Sequence, residues 1–226
     1  MCGYIVGITL FGLCYNERTI ERRWYSILSF HSFLPKRDAF VLITERLYLR
    51  VVTPSSASVV SDYLCKNRVF HKPYHQFHDN TYFTVAEQKE YIRSDLHRFR
   101  NKSQFSFWIS YIGERDRIIG RLSYTAIIRG ALSSCLVGYH LDRDEIGKGI
   151  MQEALQAGCQ YMFHVQNLHR IQADIMPSNT RSLATAERCG FKRQGLNEKY
   201  MCINGAWQDH YMYALLNDLY DAEDER

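Results

Sequence analysis

The sequence predicts an α+β protein of mixed α/β layers, and three observations carry that expectation. Strand-like runs at residues 105–111, 118–127 and 134–141 follow one another, with turn signals at Gly113 and Gly130, and read as successive antiparallel strands. The third run leads through Gly147 and Gly149 into an amphipathic helix at 147–163 and then into another β-like run at 171–176, an α/β crossover. The chain has 226 residues and 46% hydrophobic content, enough to bury one sizeable core in one or at most two domains.

The remaining elements follow in order. Residues 43–52 alternate as a first strand, and Thr53 and Pro54, at cap and first-turn positions, open a helix at 55–67. A loop rich in His, Pro and Asn spans 68–80. A second helix covers 84–101, with Thr84 as its cap and Glu87 three residues on as the other half of a capping box. After the crossover come a short helix at 179–189 and strands near 191–200 and 211–215. No internal repeat or low-complexity linker interrupts the series.

Charge and cysteine content exclude several function classes. The formal net charge of +4 falls short of a nucleic-acid footprint, so the cluster Arg93, Arg98, Arg100 and Lys102 reads as a solvated helix face and no direct DNA binding is expected. Seven cysteines, Cys2, Cys14, Cys65, Cys135, Cys159, Cys189 and Cys202, are widely spaced and form no Cys-x-x-Cys, which argues against a disulfide framework or a zinc ribbon and for a cytoplasmic protein. The first forty residues differ in character: Tyr4 to Tyr15 is apolar and uncharged, and Glu17 to Trp24 is strongly charged. The apolar run is shorter than the roughly 20 residues of a membrane span and lacks the flanks of a signal peptide. Residues 1–39 are therefore expected to be an appendage or an over-long start, with a membrane-surface anchor as the sharper alternative.

The glycine turn is the most informative feature. A tight turn running into a helix N-terminus leaves backbone N–H groups free and adds the positive end of the helix dipole, which suits a phosphate. A P-loop would need Lys and Ser/Thr after the second glycine, where Ile150 and Met151 stand, and a Rossmann fingerprint would need a glycine where Gln152 stands. With the later Asn179-x-x-Ser182 and Cys189-Gly190-Phe191, the turn resembles the acetyl-CoA loop of the GCN5-related N-acetyltransferase (GNAT) superfamily, (Arg/Gln)-x-x-Gly-x-(Gly/Ala). Asp144 departs from the first position of that pattern. The segments Thr44 to Arg50, Asn67 to Tyr74, Ile128-Arg129-Gly130 and Lys199 to His210 resemble the ribosomal-protein alanine N-acetyltransferase branch in particular. The resemblance runs from about Phe40 to about Leu219, giving a domain at 40–219 and an acidic tail at 220–226.

The resemblance implies a central, mostly antiparallel sheet with helices on both faces, and direct attack of an amine on acetyl-CoA without a covalent enzyme intermediate. The backbone of Val137, Gly138 and Tyr139 would hold pantetheine as an added strand, and Gly147, Lys148, Gly149 and Ile150 would hold the pyrophosphate. Asn179 would touch the ligand or cap its helix, and Ser182 would donate to the thiol sulfur, with Tyr200 as the back-up acid and helix capping as the plainer role for Ser182. Asp174 stands where one alanine-acetylating relative has its base, and a solvated strand-end carboxylate is the plainer reading. The implied acceptor is a protein N-terminal α-amine, on a ribosomal protein by analogy; the alternatives are a small amine such as an antibiotic or polyamine, or a non-catalytic acyl-CoA-binding module. His71, His75 and His78 have metal-like spacing, but Pro73 breaks the helix that would align the first two, so no metal is expected. His75 and Asp79 mimic the His-x-x-x-Asp of another acyl-CoA transferase class, whose second motif is absent. Phe70, Tyr74 and Phe77 would instead line a peptide groove.

Overall fold

The chain enters the sheet through a hairpin rather than a single strand. The computed structural model describes residues 38–220, where β1 (Asp38–Ile43) pairs antiparallel with β2 (Leu47–Val52). The expected strand at 43–52 is thus the turn and second half of this hairpin. Thr44 makes the turn: its hydroxyl oxygen accepts from the Leu47 N–H at 3.0 Å, and its own N–H donates to the Leu47 carbonyl. The expectations for residues 1–37 and 221–226 lie outside the described residues.

A 3-10 turn at Pro54–Ser56 precedes α1 (Ala57–His71), and Thr53 makes no side-chain cap there. The helix outlasts the sequence expectation by one turn, because Pro73 falls just past its end in a second 3-10 turn, Lys72–Tyr74. In α2 (Val85–Arg100) half of the capping box forms: Thr84 accepts from the Glu87 N–H at 3.3 Å, while the Thr84 N–H donates to the Thr81 carbonyl instead of to Glu87.

The strands β3 (Phe105–Tyr111), β4 (Gly120–Ile128) and β5 (Ser134–Leu141) form the expected antiparallel series. Helix α3 (Ile150–His164) crosses to β6 (Arg170–Ile175), and α4 (Thr180–Arg188) leads into β7 (Lys192–Ile203) and β8 (Ala206–Leu216). The eight strands lie in the order β1-β2-β3-β4-β5-β6-β8-β7, and only the β5–β6 pair is parallel.

Alternation along the strands sends side chains to two helical layers. One face buries Leu49, Phe107, Leu122, Tyr124 and Val137 against Ala154, Leu155 and Met162 of α3. The other packs Trp108 against Val60, Tyr63 and Leu64 of α1 and Ile92 of α2. Gly158 sets how closely α3 approaches: a Cβ there would lie 2.5 Å from the Tyr124 hydroxyl and 2.6 Å from a Leu122 methyl. Among the described residues no helix is long and apolar enough to cross a membrane.

Candidate active site

The site begins where two strands part. β5 pairs with β4 along its length but with β6 only at Ser134, Cys135 and Leu136. Beyond Leu136 the chain diverges from β6, so the edge of β5 from Val137 onward is unpaired on that side and presents backbone donors and acceptors. Side chains leave this edge to both faces. Tyr139 reaches α4, donating to the Ser182 carbonyl at 3.0 Å, and His140 reaches α1, 2.7 Å from the Tyr63 hydroxyl. Gly138, just before them, is open: a Cβ there would meet only the Ser123 hydroxyl, at 3.9 Å.

The edge runs into the glycine turn. Gly147 and Gly149 have φ of +82° and +73°, a left-handed backbone that costs other residues about 1–2 kcal/mol each. Gly149 is the N-cap of α3 and offers no side-chain bond, so the opening N–H groups of that helix carry no side-chain cap. The turn is braced on every side. Asp142, buried, accepts from the Asp144 N–H and from Lys66 of α1, and Lys66 also meets Asp144, the residue that replaces the expected Arg or Gln. The buried Glu145 accepts from Tyr111, Arg117 and Lys148. Burial, the largest single effect, pushes its carboxyl up, but these donors together hold it below the usual range. Glu153 of α3 accepts from the Thr44 hydroxyl at 2.6 Å and from Arg46 Nε at 2.6 Å, and Arg46 Nη1 donates to the Lys148 carbonyl at 3.1 Å. The Lys148 side chain is therefore committed to Glu145.

Across from the turn, Asn179 caps α4, its Oδ1 accepting from the Ser182 N–H at 3.3 Å. A cleft of about 380 Å³ lies between these parts, lined by Tyr139, Gly147, Gly149, Ile150, Asn179 and Ser182 among the residues singled out from the sequence, and by Phe70, His71, Tyr74 and His75 on its far wall. Val137, Gly138, Lys148, Asp174 and Tyr200 do not line it. A long, anionic, strand-like ligand fits this arrangement: an open β edge for amide groups, and then open glycines at a helix start for phosphates.

Asp174 and Tyr200 form a second group on β6 and β7. The Tyr200 hydroxyl hydrogen-bonds the Asp174 carboxylate, and Gln172 Nε2 donates to both Asp174 oxygens, at 3.0 and 3.2 Å. Burial pushes the Asp174 carboxyl up from its ordinary value, against the pull of Gln172, Tyr200 and the nearby His210. A bulge in β7 between Asn197 and Met201 aims Tyr200 at this carboxylate. Asp209 stabilises the bulge by accepting from the Lys199 N–H at 2.8 Å, a hairpin role.

The sequence grouping of histidines is corrected by the structure. His78 stacks on Tyr82, with centroids 3.8 Å apart, and Asp79 caps its own turn at Thr81 and Tyr82, leaving no His75–Asp79 pair. His140, which spacing could not reveal because it lies on β5, joins His71 and His75 instead, with ring centroids 4.9–5.1 Å apart. His71 Nε2 donates to the Leu141 carbonyl at 2.8 Å. Burial lowers all three, with mutual repulsion adding for His75, held at about 4, and for His140, so the trio is neutral. Among the described residues no group of three or more His, Cys, Asp or Glu is placed to hold a metal ion. Phe70 and Tyr74 line the cleft as expected of a groove, while Phe77 is exposed.

Comparison with known proteins agrees with this architecture. Residues 46–192 match the model of the acetyltransferase (GNAT) domain. The probable N-acetyltransferase YjcK of Bacillus subtilis is 36% identical over 173 residues, 76% of this chain and 95% of that protein. The [ribosomal protein uS5]-alanine N-acetyltransferase of Escherichia coli is 34% identical over 174 residues, 77% of this chain and 89% of its own. The crystal structure of ribosomal-protein-S5-alanine acetyltransferase from Vibrio fischeri superimposes with a TM-score of 0.76 at 31% identity, covering 80% of this chain and 98% of that one.

Proposed function

The chain belongs to the GNAT family of acetyl-CoA-dependent N-acetyltransferases, and from that premise we propose that its acceptor is a protein N-terminal α-amine, with a ribosomal-protein N-terminal alanine as the first candidate. The observation that carries this reading is the Asp174–Tyr200 pair, a half-buried carboxylate with raised pKa on β6, beside the point where β5 and β6 part. The likeness to the uS5-alanine enzyme across most of its length supports the same acceptor.

Bound acetyl-CoA supplies an acyl group already activated as a thioester. The backbone edge of Val137, Gly138 and Tyr139 orients its pantetheine arm. The N–H groups at Gly147–Ile150 take the pyrophosphate, and Lys148, held by Glu145, contributes through its backbone. Asn179 shapes the first turn of α4 and so presents Ser182, whose hydroxyl donates to the departing sulfur. Tyr200, engaged with Asp174, is better placed to orient that carboxylate than to serve as the acid. Asp174, set back from the cleft, receives the proton of the attacking amine through water.

Magnitudes favour an α-amine over a lysine. An α-amine of pKa about 8 is neutral in roughly a tenth of molecules at pH 7, whereas a lysine at about 10.4 is neutral in about one in two thousand. A single carboxylate of raised pKa suffices for the former. A polyamine would be better served by an acidic wall, and the cleft's far wall is aromatic and neutral histidine.

The test is acetyl transfer read by mass spectrometry across peptides that vary in first residue, an N-terminally blocked peptide with a free lysine, and polyamines. Acetylation confined to free N-termini, best with alanine, is expected. Transfer only to small amines would overturn the acceptor, and retained CoA binding without transfer to any amine would leave a binding module.

A further inference from the structure

Around the glycine turn nearly every positive charge is already neutralised. Arg46 pairs with Glu153, Lys66 with Asp142 and Asp144, Arg117 with Glu114 and Glu145, Arg143 with Asp144, and Lys148 with Glu145. A coenzyme A molecule brings a pyrophosphate and, on its ribose, a phosphomonoester that carries nearly two negative charges near neutral pH. Backbone N–H groups at one short turn can hold the first but leave the second uncompensated.

Two cleft-lining guanidinium groups are spared this neutralisation, both on α4. Arg181 and Arg188 lie seven residues apart, about 10.5 Å along the helix, on the face that also turns Thr185 to the cleft. They differ in what they touch. Arg181, beside Ser182, lies over the Phe70 ring at 4.8 Å, closing the thiol end of the cleft. Arg188 has no acidic or aromatic partner among the described residues. The end of α4 that carries it is fixed beside the first turn of α3, because the Cys189 thiol donates to the Gln152 carbonyl at 3.7 Å. Arg188 thus stands at the phosphate end of the cleft.

We infer that Arg188 recognises the ribose phosphate of acetyl-CoA and lets the enzyme distinguish it from forms lacking that group. A guanidinium matches a phosphomonoester in both charge and fork geometry. The inference rests on the glycine turn holding the pyrophosphate, and the experiment separates the two.

KM would be measured for acetyl-CoA and for acetyl-dephospho-CoA, which lacks only the ribose phosphate, with the native chain, Arg188→Gln and Gly149→Val. Arg188→Gln is expected to raise KM for acetyl-CoA about fivefold, to leave kcat alone, and to leave the dephospho form unaffected, so that the preference between cofactors collapses. Equal effects on both cofactors, or none on either, would overturn the inference. Gly149→Val should raise KM for both. If it does not while the Arg188→Gln preference still collapses, the turn assignment fails and the Arg188 assignment stands.

Discussion

The proposed cofactor end and the proposed acceptor end of this site are held by different forces. Around the glycine turn, buried carboxylates of Asp142 and Glu145 and the partly buried Glu153 each take two or more charged or polar donors, and the turn is tied to α1, β3 and the β1–β2 hairpin at once. The acceptor wall is held by ring contacts and a few single bonds: the histidine trio, Arg68 over Phe83, and one bond from Asn204 of the β7–β8 hairpin to the Lys72 carbonyl. A turn that grips one unvarying ligand gains from redundancy, since each brace keeps N–H groups aimed at the same phosphates. A wall of stacked neutral rings can be re-cut residue by residue without unseating the cofactor, which suits the part proposed to choose the amine.

The sharpest way to break this comparison is Asp174→Asn. Loss of a general base costs on the order of a hundredfold in kcat, and KM for acetyl-CoA should stay unchanged if the two ends are separate. The same substitution should raise the melting temperature. Burial lifts the native carboxyl above its unfolded value, so the native state binds the extra proton; ionised Asp174 is a cost at neutral pH, and stability falls as pH rises through the interval between those values. The gain in Asn should therefore shrink as pH is lowered through the ordinary carboxylate range. A variant that is slow but no more stable would mean that Gln172 and Tyr200 fully compensate burial.

Ser182→Ala tests the junction between the ends and should cost less. A thiol with pKa near 8.5 is a fair leaving group unaided, so losing its hydrogen-bond donor should lower kcat on the order of tenfold. Cofactor KM should hold, because α4 is capped by Asn179 and not by the Ser182 hydroxyl. A full-rate Ala variant would remove Ser182 from the chemistry.

Glu153→Gln probes the bracing itself. It weakens the bonds from Thr44 and Arg46, and since Arg46 is half exposed the loss amounts to about 1 kcal/mol or less, a several-fold rise in KM for acetyl-CoA with kcat unchanged. An equal rise in acceptor KM would show that the brace serves both ends.

How legible each end was in the sequence follows from the same division. Gly147, Gly149, Asn179 and Ser182 announced themselves because glycine at positive φ and a polar cap are local requirements, written within a few residues. The braces were silent. Glu153 lies 107 residues from Arg46, and Lys66 lies 76 from Asp142, so no spacing could pair them. The β1–β2 turn was missed because Thr44 turns the chain with its side chain and without Gly or Pro, the residues that mark turns by composition. Asp174 was singled out through family likeness alone, and its contact with Tyr200 depends on a bulge that nothing in local propensity foretells.

The histidines show the same limit and support the smallest effect. Spacing groups His71, His75 and His78, whereas the fold exchanges His78 for His140. His75 stands at about 4, below the ordinary 6.5, so the unfolded chain binds its proton first. Its contribution to stability is complete above about pH 6.5 and drains away as pH falls toward 4, at up to about 1.4 kcal/mol per pH unit for one proton. His75→Asn, which cannot take up that proton, should flatten the acid side of the stability–pH curve by about that one proton and leave melting at pH 8 nearly unchanged. Cofactor KM should not move, because no brace of the glycine turn runs through His75. A shift of that KM would mean that the aromatic wall and the charged turn act as one unit, and the division of labour between the two ends would then fail.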